Sequence, residues 1–232
     1  MQSLKSAFRH WWLRQHGIRT EIVCAGIDLG IANGSWNVLP DALNNESIIY
    51  SFGIGTDISF DLALIDRFRA CVHAYDPTPR ARAWIQSRSL PGHFIYHDCG
   101  IAGYDGMMPF YAPKNPASAH FTPVPRYKCD APSQQVSAPV QTLQTLMATL
   151  GHDHLDLLKL DIEGGEYEVI ENMLADRISI RQLLIEFHHN YRTIHFNQTV
   201  QALRHLREAG FRIFNISRRA LEFSLLSAAA DA

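Results

Sequence analysis

The chain has 232 residues, enough for one well-buried domain and too few for two comfortable ones. It is 47% hydrophobic and 19% charged with a net charge of -2, which offers no broad basic field to nucleic acid and no acidic tail. Cys24, Cys71, Cys99 and Cys129 are scattered without C-x-x-C spacing, so reduced and mostly buried thiols are expected.

In chain order, MQSLKSAFRHWWLRQHG has basic residues but neither a signal-peptide core nor a membrane span, and no later stretch is long and apolar enough to span. A soluble, cytoplasmic protein is the expectation. Phe8, Trp11 and Trp12 suit a helix packed on the domain, with a membrane or partner contact as the alternative and oligomerisation left open. Residues 1–45 read as an N-terminal helical or extended segment, and residues 46–232 as the domain.

SIIYSF is a short β-rich run ending at Gly53. LALIDRF then has helical periodicity through Leu64, Ile65 and Phe68, with Thr56, Asp57 or Ser59 as the cap. ACVHAYD is a second strand, stopped by Pro77-Thr78-Pro79, and HFIYHDCGIA is a third. Residues 103–139 are rich in Pro, Gly, Ser and Asn, a loop-like insertion that reads as a functional lid or, equally, as a surface excursion with a short edge hairpin around MMPFYAP. QTLQTLMATLG is a helix stopped at Gly151, followed by a buried strand, a turn at Gly164-Gly165 and a helix within LDLLKLDIEGGEYEVIENML. RQLLIEFHH is a fifth strand and VQALRHLREAG a helix closed at Gly210. FRIFNIS and LEFSLLS, separated by three residues, must pair antiparallel. Alternating strands and helices imply an α/β, mostly parallel sheet with helices on both faces and an antiparallel C-terminal hairpin.

Ligands of open α/β sheets sit beyond the carboxyl ends of the strands. Gly53 and Gly55, after Phe52, would let a backbone approach a ligand closely. Asp76, 21 positions beyond Gly55, can accept both hydrogen bonds of a ribose diol, and Asp98 and Cys99 stand at the next strand end. Nicotinamide and S-adenosylmethionine sites share this spacing. The dinucleotide fingerprint needs a third glycine where Ile58, Ser59 and Phe60 stand. Asp57 and Asp61 would repel a pyrophosphate but attract an ammonium or sulfonium. A helix cap and a solvated first-turn acid are their plainer roles.

In LLKLDIEGGEYE, Asp161 and Glu163 are expected to share an orientation on the strand period of two, able to orient a hydroxyl, take its proton or hold a divalent cation. In IEFHHN, Glu186 and His188 stand at a neighbouring strand end, with His188 a candidate base or metal ligand. Asp161, Glu163 and His188 are the candidate catalytic residues. Tyr104, Phe110, Tyr111, His120, Phe121 and Tyr127 of the insertion are candidates for stacking on an acceptor.

YSFGIG, HAYDPTP, GIAGYDG, LLKLDIEGGEYEVIENML and LLIEFHH, in that order, resemble the FkbM family of S-adenosylmethionine-dependent methyltransferases over roughly residues 34–190. The resemblance implies a Rossmann-like class I methyltransferase fold, a seven-stranded sheet whose last strand is antiparallel. It also implies O-methylation of a hydroxyl on a sugar, glycan or secondary metabolite, with S-adenosyl-L-methionine as cofactor. By it, Gly53 and Gly55 match the cofactor loop, Asp76 the ribose-binding acid, Asp161 with Glu163 the strand-end site, Glu186 and His188 the later E-x-H stretch, and Cys99 and Gly100 the adenine edge. Phe52 and Asp161 are counted with the cofactor contacts, and a magnesium or manganese ion held by Asp161 and its neighbours is compatible with the residues themselves. Ser51 stands where the family's loop opens on an acid, and Thr142-Leu143-Gln144 where it has T-L-D. The alternatives are a nicotinamide-dependent oxidoreductase and a non-catalytic cofactor-binding module.

Overall fold

In the computed structural model, residues 4–31, 34–115, 118–125 and 135–228 are described. The central sheet has seven strands, in chain order β3 (Ile49–Phe52), β4 (Val72–Tyr75), β5 (Phe94–His97), β9 (His154–Leu160), β10 (Ser179–Glu186), β11 (Phe211–Ile216) and β12 (Glu222–Ser227). Their spatial order is β11-β12-β10-β9-β3-β4-β5. β5, β4, β3, β9 and β10 are mutually parallel, while β12 runs antiparallel to both β10 and β11. The expected mostly parallel sheet with its antiparallel terminal hairpin is present.

Six helices accompany these strands: α1 (Leu4–Gln15), α2 (Ser59–Phe68), α3 (Pro79–Gln86), α4 (Leu143–Leu150), α5 (Glu166–Ala175) and α6 (Phe196–Glu208). Strand alternation sorts the core onto two faces. Tyr50, Phe52, Leu158 and Leu160 join Leu143, Val169, Met173 and Leu203 on the face of α4, α5 and α6. Ile49 and Leu157 join Phe60, Leu64, Ile65 and Ile85 on the face of α2 and α3. The chain builds outward from β3 to β5, then returns to place β9 on the other side of β3. The C-terminal ends of β3 and β9 are therefore the point where the strand order reverses.

Several local expectations change. The third strand divides at Asp98-Cys99 into β5 and β6 (Gly100–Ile101). β6 leaves the main sheet for a second, three-stranded sheet with β7 (Gly106–Tyr111) and β8 (Gln135–Gln141), in the order β6-β8-β7. MMPFYAP is thus not a short hairpin: its first residues are one strand, β7, whose antiparallel partner β8 begins 24 residues beyond its end. α3 begins directly after the Pro77-Thr78-Pro79 stop because the Thr78 side chain caps it and Pro79 suits its first turn. α2 has Ile58 at its cap position with no side-chain cap, and Asp57 Oδ1 accepts from Ser59 N–H just before the helix. Of the described cysteines, Cys71 is exposed and Cys24 and Cys99 are half-buried, so none is a core thiol.

The segment before β3 contributes β1 (Ile27–Leu29) and β2 (Trp36–Val38), an antiparallel hairpin. Trp36 and Val38 enter the α2-side core, and the Gln182 side chain bonds both the N–H and the C=O of Leu39. α1 packs through Leu13 and through Trp12, whose ring meets Phe196 at 4.0 Å.

On the α4 side, His73 Nδ1 and His97 Nε2 are 3.0 Å apart, and Tyr50 OH meets His152 Nδ1 at 2.8 Å. Burial, together with His97 and His152, pushes the His73 pKa down to about 4. The folded chain therefore refuses a proton that the unfolded chain accepts. The resulting stability is present above about pH 6.5 and lost as pH falls toward about 4. In urea titrations, a His73→Gln variant should lose less stability over that window than wild type, by on the order of 1–2 kcal/mol.

Candidate active site

A cavity of about 720 Å³ opens where the strand order reverses. Its floor is made by the ends of β3, β4, β9 and β10, and residues 118–124 of the insertion cover it. Phe52, Gly53, Gly55, Asp57, Asp61, Asp76, Asp161, Glu163, Glu186 and His188 all line it.

Two of the glycine-loop readings change in cause. Gly53 has φ +75, and a Cβ there would stand 1.7 Å from the Asp161 carbonyl oxygen. The residue is small because the backbone of Asp161, just past the end of the neighbouring β9, lies against it, which needs no ligand. Gly55 has φ +52 and its N–H donates to Asp76 Oδ2 at 2.9 Å. The other Asp76 oxygen accepts from Thr78 N–H at 2.9 Å and from Thr78 Oγ1 at 2.6 Å. Asp76 is 5% exposed and burial raises its pKa. It fastens the glycine turn to the start of α3, with most of its acceptor capacity already used.

Asp61 is no solvated first-turn acid. It is 1% exposed, and its Oδ1 has no hydrogen-bond partner among the described residues. Burial raises its pKa, against the pull of Lys159 and Ser51. Ser51 and Lys159 are register partners on β3 and β9 and face the α2 side. Lys159 Nζ donates to Phe52 O at 3.2 Å and Gly53 O at 3.4 Å, stands 4.0 Å from Asp161 Oδ2, and lies 5.4 Å from the Trp36 ring centre. This buried cation acts on both Asp61 and Asp161.

The other end of the cavity is built around His188. Its Nδ1 is 2.8 Å from Glu166 Oε1, and Glu166, fully buried, is pinned by the N–H groups of Ile162 and Gly164. That leaves Nε2 toward the cavity, 3.7 Å from both Asp161 Oδ1 and Glu163 Oε2. Burial opposes charge on the ring, but Glu166, Glu163 and Asp161 outweigh it and raise its pKa to about 10. Burial and Asp161 push Glu186 up to about 7, although Arg219 donates to its Oε1 at 2.9 Å.

Asp161 and Glu163 do converge on one imidazole, but not by strand alternation. β9 ends at Leu160, and Glu163 sits in the left-handed region at φ 54. A non-glycine residue held there is strained by about 1–2 kcal/mol. His120 Nδ1 at 2.5 Å and the Tyr191 hydroxyl hold its carboxylate, while Thr122 Oγ1 donates to its carbonyl at 2.6 Å. Burial works against the Glu163 charge, yet His120, His188 and Tyr191 bring its pKa down to about 2.

The structure does not bring Asp98 and Cys99 to the cavity wall. Asp98 pairs with Arg82 at 2.6 Å on the surface, and Cys99 Sγ lies 3.3 Å from Gly100 O and 3.8 Å from Gln141 Oε1; the next residues, Gly100 to Ala102, line the cavity instead. Of the insertion aromatics, Phe110, His120 and Phe121 line it; Tyr104 and Tyr111 do not, and Tyr127 lies outside the described residues. Sequence reasoning did not single out Trp36, Glu166 or Arg219. Each acts through a partner far along the chain, which no local motif reveals.

The family model for the methyltransferase FkbM domain matches residues 32–213. The chain belongs to the FkbM methyltransferase domain family. Probable methyltransferase-like protein 24 of Homo sapiens is 26% identical over 157 residues, covering 66% of this chain and 36% of that protein. Its Rattus norvegicus counterpart is 26% identical over 144 residues, covering 60% and 32%. The chain therefore spans about a third of the length of these curated relatives. Among solved structures, the methyltransferase FkbM from Methylobacillus flagellatus KT aligns with TM-score 0.48 and 11% identity over 79% of this chain and 44% of that one. Aeropyrum pernix fibrillarin with natively bound S-adenosyl-L-methionine aligns with TM-score 0.40 and 10% identity over 89% and 83%. In this FkbM-family chain the most specific sequence segment, KLDIEGGEYEVI, supplies Asp161, Glu163 and the outer carboxylate Glu166.

Proposed function

We propose that this domain is an S-adenosylmethionine-dependent O-methyltransferase acting in the cytoplasm on a hydroxyl of a sugar, glycan or secondary metabolite. The observation that carries this reading is the His188 cluster, facing a cavity that is also lined by Asp61, whose Oδ1 has no hydrogen-bond partner among the described residues.

The residues present fit the cofactor. A buried carboxylate oxygen without a donor is costly, and the ammonium of a methionine moiety would satisfy it. Ser51 supplies no charge at the strand end, so Asp61 takes that role ahead of the exposed Asp57. Phe52 and the Gly53–Gly55 turn would complete the contacts, with Asp76 holding that turn in place and keeping at most one acceptor position for a ribose hydroxyl. When bound, S-adenosylmethionine supplies a methyl group on a sulfonium, already a reactive donor. What the chain adds is mainly position. Asp161 faces the acceptor hydroxyl and takes its proton, His188 holds the acceptor in line, and Glu166 fixes the orientation of that ring.

A divalent cation also fits this end of the cavity. Ligand atoms of Asp161, Glu186 and His188 lie within 4.8 Å of one another, and carboxylates with one imidazole suit magnesium or manganese. Glu166 is the outer carboxylate that such a histidine ligand ordinarily has. Bound there, the ion would lower the pKa of a coordinated hydroxyl.

Calorimetric titration with S-adenosylhomocysteine should show binding, and titration with NAD(H) none; the reverse result overturns the reading. A radiolabelled-methyl screen over sugars and glycolipids then finds the acceptor. Asp61→Asn should weaken S-adenosylhomocysteine about tenfold, the worth of one charge-assisted contact. Manganese titration followed by electron paramagnetic resonance tests the cation directly, and turnover indifferent to chelators removes it.

A further inference from the structure

α1 is amphipathic in an unusual sense, for it has two apolar sides. Leu13 and Trp12 pack inward, and Ser6, Arg9 and His10 bond the carbonyls of Arg218, Arg219 and Ser217 in the turn between β11 and β12. With 100° per residue, Leu4, Phe8 and Trp11 fall within about 60° of one another on the side facing away. They are 91%, 56% and 55% exposed, and the Phe8 and Trp11 rings lie 5.8 Å apart. Lys5 and Arg14, both exposed, flank this stripe on its two sides. The first 20 residues carry Lys5, Arg9, Arg14 and Arg19 and no carboxylate, in a chain whose net charge is -2.

We propose that α1 is a membrane-surface helix, seating Leu4, Phe8 and Trp11 at the headgroup boundary of an anionic bilayer while Lys5 and Arg14 meet lipid phosphates. An exposed apolar stripe rich in aromatics, with cations on its flanks, is the pattern that binds in this plane. At 12 residues the helix is far too short to cross. Charge complementarity decides the occupant. A second copy of this chain, paired through the same stripe, would bring Lys5 and Arg14 against their own kind. Anionic headgroups neutralise them, at about one favourable contact per basic residue. The turn that seats α1 also carries Arg219, which bonds Glu186 at the cavity, so the docked helix is one short turn of chain from the site.

Cosedimentation of the full chain with phosphatidylcholine vesicles containing phosphatidylglycerol tests this. Those vesicles should retain the protein, pure phosphatidylcholine should retain about tenfold less, and high salt should release it. Phe8→Ser/Trp11→Ser and Lys5→Glu/Arg14→Glu should each lower retention about tenfold at unchanged Tm, since these side chains face away from the domain. The proposal is overturned if anionic vesicles retain nothing, or if they retain the Phe8→Ser/Trp11→Ser variant equally. It is also overturned if light scattering shows a wild-type dimer that this variant splits.

Discussion

Turnover of an Asp161→Asn variant is expected to fall by about 10²–10⁴-fold, the usual contribution of a positioned general base. Affinity for S-adenosylhomocysteine, read by calorimetry, should stay within a few-fold of wild type. The split follows from where each atom of Asp161 sits. Its carbonyl, which the substitution leaves alone, packs against Gly53 under the glycine turn. Its side chain, 27% exposed, reaches Lys159 at 4.0 Å and His188 at 3.7 Å. Removing the charge therefore spoils the acceptor end without moving the turn. Near-normal turnover in this variant would assign the proton to another group. Equal loss of turnover and of cofactor affinity would move Asp161 to the cofactor's side.

The second large effect is on folding. Gly53→Ala places a Cβ 1.7 Å from the Asp161 oxygen at a φ of +75, so both space and backbone conformation oppose it. Neither strand end can retreat, because Gly53 N–H donates to Tyr75 O at 3.0 Å and Asp161 N–H to Phe52 O at 3.3 Å. We expect a loss of about 3–5 kcal/mol, or roughly 6–20 °C in Tm for a chain of this size. Gly55→Ala provides the contrast. Its Cβ would meet only the Ala119 Cβ at 3.5 Å, an ordinary contact, leaving the cost of its φ of +52, about 1–2 kcal/mol. Thermal unfolding of the two variants side by side checks the argument. Similar losses in both would mean that the close approach of the Asp161 carbonyl is not what requires glycine at Gly53.

The main sheet was legible because its strands are short apolar runs bounded by Gly and Pro, and because a link of only five residues forces β11 and β12 antiparallel. The Asp161, Glu163 and His188 assembly was legible because each lies at or just beyond a strand end on the same edge. The second sheet was not: β7 and β8 pair across residues of loop-like composition, and their hydrogen bonds satisfy a backbone whose side chains give little periodic signal. Nor were the outer partners. Glu166 looks like an ordinary first-turn acid of α5, and only the return of the chain 22 residues later brings His188 to it. Asp98 misled for a related reason. It stands at a strand end, but Arg82 of α3 holds it at the surface.

Lys159 makes the two ends of the cavity electrically one object. Its buried charge acts on both Asp61 and Asp161, standing 4.0 Å from an oxygen of the latter, and charges so buried are weakly screened. A substitution at either carboxylate therefore changes the field at the other. The effects of Asp61→Asn and Asp161→Asn should fail to add, with a coupling of about 0.5–3 kcal/mol in a double-mutant cycle. The effect on turnover of a changed charge at the acceptor end would then depend on the charge carried at the other end, even where cofactor affinity itself shifts only a few-fold.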